Sequence, residues 1–139
     1  MHKEPFIHVG VGAILFDAGR VLLVQRGRPP AQGMWAIPGG KVRAGESLHA
    51  ALKREIFEET GLHIEPGDVV YVFEMIEKED DGTLRRHYVV IDYEAQTTGG
   101  LLKAGDDALQ ARWVSEQEFA TLPVHQRTRE LLRRKYDFG

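Results

Sequence analysis

The sequence predicts a mixed α/β domain, with a mixed β-sheet covered by helices on two sides. Three observations point there. Short apolar runs rich in β-branched residues recur along the chain, turn residues join several of them into hairpins, and one strongly helical segment lies between strands. At 139 residues the chain suits one domain with a real core, but not two. No internal repeat, low-complexity tract or Ser/Pro-rich linker divides it.

Residues 6–16 (FIHVGVGAILF) read as a strand in which Gly10 and Gly12 mark close backbone approach. Gly10-Val11-Gly12 does not extend to a dinucleotide fingerprint, since the third glycine and a following helix are missing. Asp17-Ala18-Gly19 is a hairpin turn, and residues 20–26 (RVLLVQR) return as a central strand. Residues 27–33 (GRPPAQG) form a loop, because Pro29-Pro30 continues neither helix nor ladder. Trp35-Ala36-Ile37 is a short strand ending at Pro38-Gly39-Gly40. A helix follows over residues 47–60, opened by Ser47 and closed by Gly61. Residues 69–78 and 83–95 are strands joined by the turn 79–82 (EDDG). Residues 97–100 and 103–107 are loops around a weak strand at Leu101-Leu102, and residues 111–114 (ARWV) form a last short strand. Ser115 and Glu118 are spaced as a capping box, and Pro123 opens a further segment. Residues 125–136 form a basic terminal helix carrying Leu131 and Leu132.

Composition excludes several functions. The net charge of −3 argues against bulk nucleic-acid binding while leaving room for a local basic pocket. There is no cysteine, which removes disulfides, thiol catalysis and thiolate metal sites. No apolar run approaches membrane-spanning length and residues 1–5 do not resemble a secretion signal, so the expected compartment is the cytoplasm.

The helix over residues 47–60 carries the chemistry. At about 100° per residue, Leu48, Ala51 and Leu52 share one stripe, and its next members are Glu55 and Glu59, with Glu58 beside them. Helix carboxylates normally turn to water. Here they continue the docking line, and acids gathered there repel one another unless a cation sits among them. The ordinary alternative is a solvated charge run, in which Arg54 and Glu58 form an i,i+4 pair. Gly40, Glu46, Arg54, Glu55, Ile56, Glu58, Glu59, Gly61 and Leu62 stand, however, at the spacing of the Nudix box, and no slot departs from it. The chain resembles a Nudix hydrolase.

That resemblance implies an α/β/α sandwich and a divalent cofactor, Mg²⁺ or Mn²⁺, suited to hard oxygen donors. It implies Glu58 and Glu59 as metal ligands, Glu55 as a further ligand or the base, and Gly40 as a backbone carbonyl ligand. Glu46 ties the loop to the helix or to an outer-sphere water, and Arg54 orients the acids with its planar fork. Glu94 is a candidate extra ligand or base; a solvated acid at a strand end is its plain alternative. Asp106 and Asp107 lie in a loop of the kind that closes over family sites, or in a plain turn. For substrate contacts the candidates are Arg26 and Arg28 on phosphate, Trp35 on a base or in the core, Arg86 within the Arg85-Arg86-His87 cluster, and Asp107. His125 has no partner in the sequence and reads as a surface residue.

The reaction implied is attack of water on a nucleoside diphosphate linked to another group. The stretches 20–47, 87–95 and 111–119 are similar to ADP-ribose pyrophosphatase-like members, so ADP-ribose giving AMP and ribose 5-phosphate stands first. No proline lies between Pro66 and Pro123, where many such members carry one. The alternatives are a (deoxy)nucleoside triphosphate pyrophosphohydrolase of the sanitising kind, a non-catalytic nucleotide-binding regulatory domain, or a structural acidic metal site in an unrelated fold. The partner expected is a small nucleotide rather than a nucleic-acid polymer or a membrane, and the family also forms homodimers.

Overall fold

The computed structural model describes residues 6–29 and 31–139. Expectations resting on residues 1–5 and on Pro30 lie outside the described residues. The elements are β1 (His8–Ile14), β2 (Phe16–Asp17), β3 (Arg20–Arg26), β4 (Trp35–Ala36), β5 (Gly39–Lys41), α1 (Leu48–Thr60), β6 (Leu62–Lys78), β7 (Leu84–Gly100), β8 (Ala108–Val114), α2 (Glu116–Phe119) and α3 (Gln126–Tyr136).

Instead of one sheet the described residues build two, each of four strands. The first has the order β5-β1-β7-β6 and is mixed, because β1 and β7 run parallel while the flanking pairs are antiparallel. The second is antiparallel, with β3 pairing β2, β4 and β8. Alternation along β1 and β3 then supplies two cores. Val11, Ala13 and Leu22 pack under α1 with Ala51, Leu52 and Ile56, while Ile14, Val21 and Leu23 pack under α2 and α3 with Phe119, Leu131 and Leu132. Helices thus cover both faces, as the order of elements predicts.

The long hairpin departs from the expected boundaries. β6 starts at Leu62 and β7 continues to Gly100, because Leu62 pairs with Gly100 and Ile64 with Thr97 while both apolar side chains enter the core. Burial and pairing override the loop-like composition of residues 97–100. The register breaks between Pro66 and Val69, where proline lacks a ladder N–H. Leu101-Leu102 is not a strand. Instead Lys103 N–H donates to the Thr60 carbonyl (2.8 Å) and Gly105 N–H to that of Glu59 (3.0 Å), tying the loop before β8 to the end of α1.

Candidate active site

α1 is held at both ends. The Ser47 hydroxyl accepts from Ala50 N–H at 3.1 Å, and Gly61 closes the helix at φ 76°, a left-handed turn that glycine adopts without strain. Between these caps Ala51, Leu52 and Ile56 are fully buried, which leaves Glu55 and Glu59 at the rim of the docked stripe.

That rim meets β5, an outer strand of the mixed sheet. Ala13 N–H donates to the Pro38 carbonyl and Val42 N–H to that of Val9, so the Val11–Gly40 pair between them is the hydrogen-bonded one. The backbone groups of Gly40 therefore face β1, and those of Gly39 and Lys41 face outward. Gly39 N–H donates to Glu59 Oε1 (3.1 Å), and the Lys41 carbonyl accepts from Arg54 Nη2 (2.9 Å). This corrects the role expected of Gly40. Its carbonyl belongs to the ladder, and what it contributes is the lack of a Cβ, which would collide with the Glu55 carboxyl. Gly39 is the glycine whose backbone is turned toward the acids.

Arg54 is the hub of the acids. Its Nε and Nη2 reach both oxygens of Glu46 at 2.7 and 2.8 Å, while its Nη1 reaches Glu55 Oε1 at 2.8 Å and Glu58 Oε2 at 3.3 Å. The Arg54 fork and the Arg43 N–H lower the Glu46 carboxyl to about 2. Burial does the opposite to Glu59, pushing it up to about 7 against the Gly39 hydrogen bond, with Glu55 adding repulsion. Burial also raises Glu55, opposed by Arg54. Asp106 lies close enough to raise both, which makes it a further acid of this site.

Among the described residues, no three His, Cys, Asp or Glu side chains stand close enough together to hold an ion in the arrangement seen. Arg54 draws Glu55 and Glu58 to itself, and the Gly39 N–H holds Glu59. The residues nevertheless fit a hard divalent cation. Carboxylate oxygens, the hard donors such an ion takes, stand on one helix beside an outward-facing backbone edge, with Glu59 at the Gly39 N–H and Glu55 and Glu58 on Arg54.

The other expected residues divide. Arg26 ends β3, and its charge helps to lower both Glu59 and His125. Arg28 is paired with Asp107 at 2.8 Å, both largely exposed, which ties the loop after β3 to the loop before β8. Trp35 is not available for stacking on a base: it is 2% exposed, in the core beneath α3, with the Arg112 guanidinium over its ring. Arg86 pairs with Glu77 toward the far end of the hairpin. Glu94 is not brought to the acids. It lies level with Ile14 on the face away from α1, where it influences Tyr136.

That face holds residues the sequence reading missed. Tyr71, Phe73 and Met75 alternate along β6 opposite Asp92, Val90 and Tyr88 of β7, and Arg127 lies 4.3 Å from the Phe73 ring centroid with Met75 Sδ at 3.8 Å. The alternation was legible; that α3 closes over this face was not. Asp92 is the buried acid here, and desolvation lifts its carboxyl to about 7 while Arg127 pulls it down.

His125 is likewise not a bystander. Its Nδ1 accepts from Arg127 N–H at 3.2 Å and caps α3. Burial and the charges of Arg127 and Arg26 hold the imidazole below its ordinary 6.5. The unfolded chain therefore takes up this proton first, and stability falls as pH drops through 6.5 toward the lower folded value. Between pH 7.5 and 5.5 the wild type is expected to lose more thermal stability than His125→Asn, which keeps a neutral cap. Parallel losses would reject this role.

The fold and the site define a class: a layered α/β domain whose central helix sets carboxylates against a glycine-rich strand edge. A family model described as the NUDIX domain matches residues 6–135, and the chain belongs to that family. It is 36% identical over 105 residues to an ADP-ribose pyrophosphatase of Methanocaldococcus jannaschii, covering 76% of this chain and 60% of that one. It is 33% identical over 134 residues to the human (Homo sapiens) 8-oxo-dGDP phosphatase NUDT18, covering 94% of this chain and 38% of that one. The chain thus spans less than two thirds of either relative. The crystal structure of a MutT NUDIX hydrolase from Burkholderia pseudomallei superposes with a TM-score of 0.80 at 30% identity, covering 95% of this chain and 99% of that one. No helix among the described residues is long and apolar enough to cross a membrane.

Proposed function

We propose that the chain hydrolyses the diphosphate of a nucleoside diphosphate linked to another group, with ADP-ribose as the first substrate and AMP and ribose 5-phosphate as products. The observation that carries this reading is the pair of anchors on α1 and β5: Glu59 on the outward Gly39 N–H, and Arg54 holding Glu46, Glu55 and Glu58 beside it. Glu58 and Glu59 would hold Mg²⁺ or Mn²⁺, which when bound neutralises phosphate oxygens and acidifies a water. Arg54 and Glu46 fix where the acids stand. Glu55, raised by burial and seated against Gly40, takes the proton of the attacking water. Arg26 binds the phosphates.

ADP-ribose comes first because of the M. jannaschii relative. The match to NUDT18 along 94% of the chain favours a second reading, an oxidised purine nucleoside diphosphate. The test is phosphate and AMP release with Mg²⁺ from ADP-ribose, 8-oxo-dGDP, nucleoside triphosphates and diadenosine polyphosphates. Turnover of ADP-ribose above the others supports the first reading, and turnover of 8-oxo-dGDP alone replaces it with the second. No turnover with tight nucleotide binding would make the chain a binding module.

A further inference from the structure

β6 is an outer strand of the mixed sheet, and among the described residues it pairs only with β7, so its other side offers free N–H and C=O groups. α1 runs along its first half. The His49 ring lies 5.3 Å from that of Tyr93, Lys53 Nζ 3.6 Å from the Glu65 carboxylate, and the Phe57 ring 4.7 Å from that of His63. Residues 72–78 extend beyond that helix. Their burial alternates, with Val72, Glu74, Ile76 and Lys78 forming the exposed row on the same face as α1, since Val72 pairs with Ile91 of the core beneath the helix. Val72 is 55% and Ile76 48% exposed, beside the half-buried Val89 and Ile91. β1 pairs with β7 only from Tyr88 onward, which leaves residues 84–87 and their β6 partners as a two-stranded overhang. Such a ribbon is marginal in water by itself.

An unpaired strand edge fits another strand, and the charges of the exposed row select which one. We propose that the outer edge of β6 pairs antiparallel with the same edge of a second copy of this chain, about a two-fold axis at Ile76, joining the two mixed sheets into one. Under that axis the row is its own complement. Ile76 meets Ile76 of the other copy, and Glu74 of each chain stands opposite Lys78 of the other, about 5 Å apart and within reach of an ion pair. The Lys78 stem then lies diagonally beside Val72 of the other copy. On the opposite row Glu77, already 3.9 Å from Arg86, meets Met75 and not another acid. An axis through Glu74 would oppose two carboxylates, and one through Met75 would set Lys78 against Val72, so one register alone satisfies both charges. A lone lysine on an edge repels its own copy; Glu74 turns it into a match. The contact is isologous and closes at a dimer. It stands independently of the nucleotide reading.

Sedimentation equilibrium on the full chain over a concentration series reads the association, with melting by circular dichroism to confirm that each variant folds. Wild type is expected to dimerise. Glu74→Lys and Lys78→Glu each set like charges opposite one another at both ends of the pairing, and each should weaken self-association at least roughly ten-fold. Mixing the two variants in equal amounts places the lysines of one chain against the glutamates of the other, so the mixture should regain wild-type association. A monomeric wild type, single variants that associate as tightly as wild type, or a mixture that stays monomeric would each overturn the proposal. Glu74 also lies 3.5 Å from His87 of its own chain. If Glu74→Lys melts early for that reason, Ile76→Asp takes its place by setting two carboxylates together on the axis, and unchanged association in that variant would be equally fatal.

Discussion

Glu59→Gln is expected to lower turnover by about a thousand-fold, the scale on which loss of a preorganised charge-stabilising group acts, while the fold survives. The amide keeps an oxygen for the Gly39 N–H and loses the buried negative charge. Stability should move the other way. The folded Glu59 carboxyl sits near 7 against an ordinary 4.5, so ionising it opposes folding as pH rises from 4.5 through 7. Without divalent ions, the variant should melt above wild type at pH 8 and level with it at pH 4.5. Adding Mg²⁺ should raise the melting temperature of wild type alone. A variant that stayed active, or melted lower at pH 8, would make Glu59 an ordinary structural acid.

Arg54→Ala should be the most damaging single change outside the acids themselves. It leaves Glu46, Glu55 and Glu58 without their shared cation and frees the Lys41 carbonyl. Charge-assisted hydrogen bonds contribute about 1.5–3 kcal/mol each in burial. Arg54 keeps some solvent contact, at 18% exposure, and the net loss expected is about 2 kcal/mol by urea unfolding, with a fall in kcat of about a hundred-fold. Arg54→Lys should recover little of either, because one ammonium cannot fork to Glu46 while also reaching Glu55 and Lys41. Full recovery by lysine would show that charge alone matters.

Much of this was legible because it is local. The helix caps, the acid spacing and the capping box of Ser115 and Glu118 act over a few residues, and the structure forms each where the sequence places it. The coarse fold followed from strand and hairpin signals. What escaped reading depends on distant partners. Strand pairing with 95–100 turned residues 62–66 into β6, and the ladder phase of β5 decided between Gly39 and Gly40. The roles of Trp35, Glu94 and Asp92 hang on which face each strand turns to which helix, and no local pattern encodes that.

The outer side of β5 carries one more consequence. It is an unpaired run of sheet donors and acceptors, and the side chains of Glu59 and Arg54 plug it instead of another strand. Such a border recruits neighbouring molecules when uncovered. Truncating the acids to alanine to silence the protein would therefore invite intermolecular strand addition, and insolubility would then masquerade as lost chemistry.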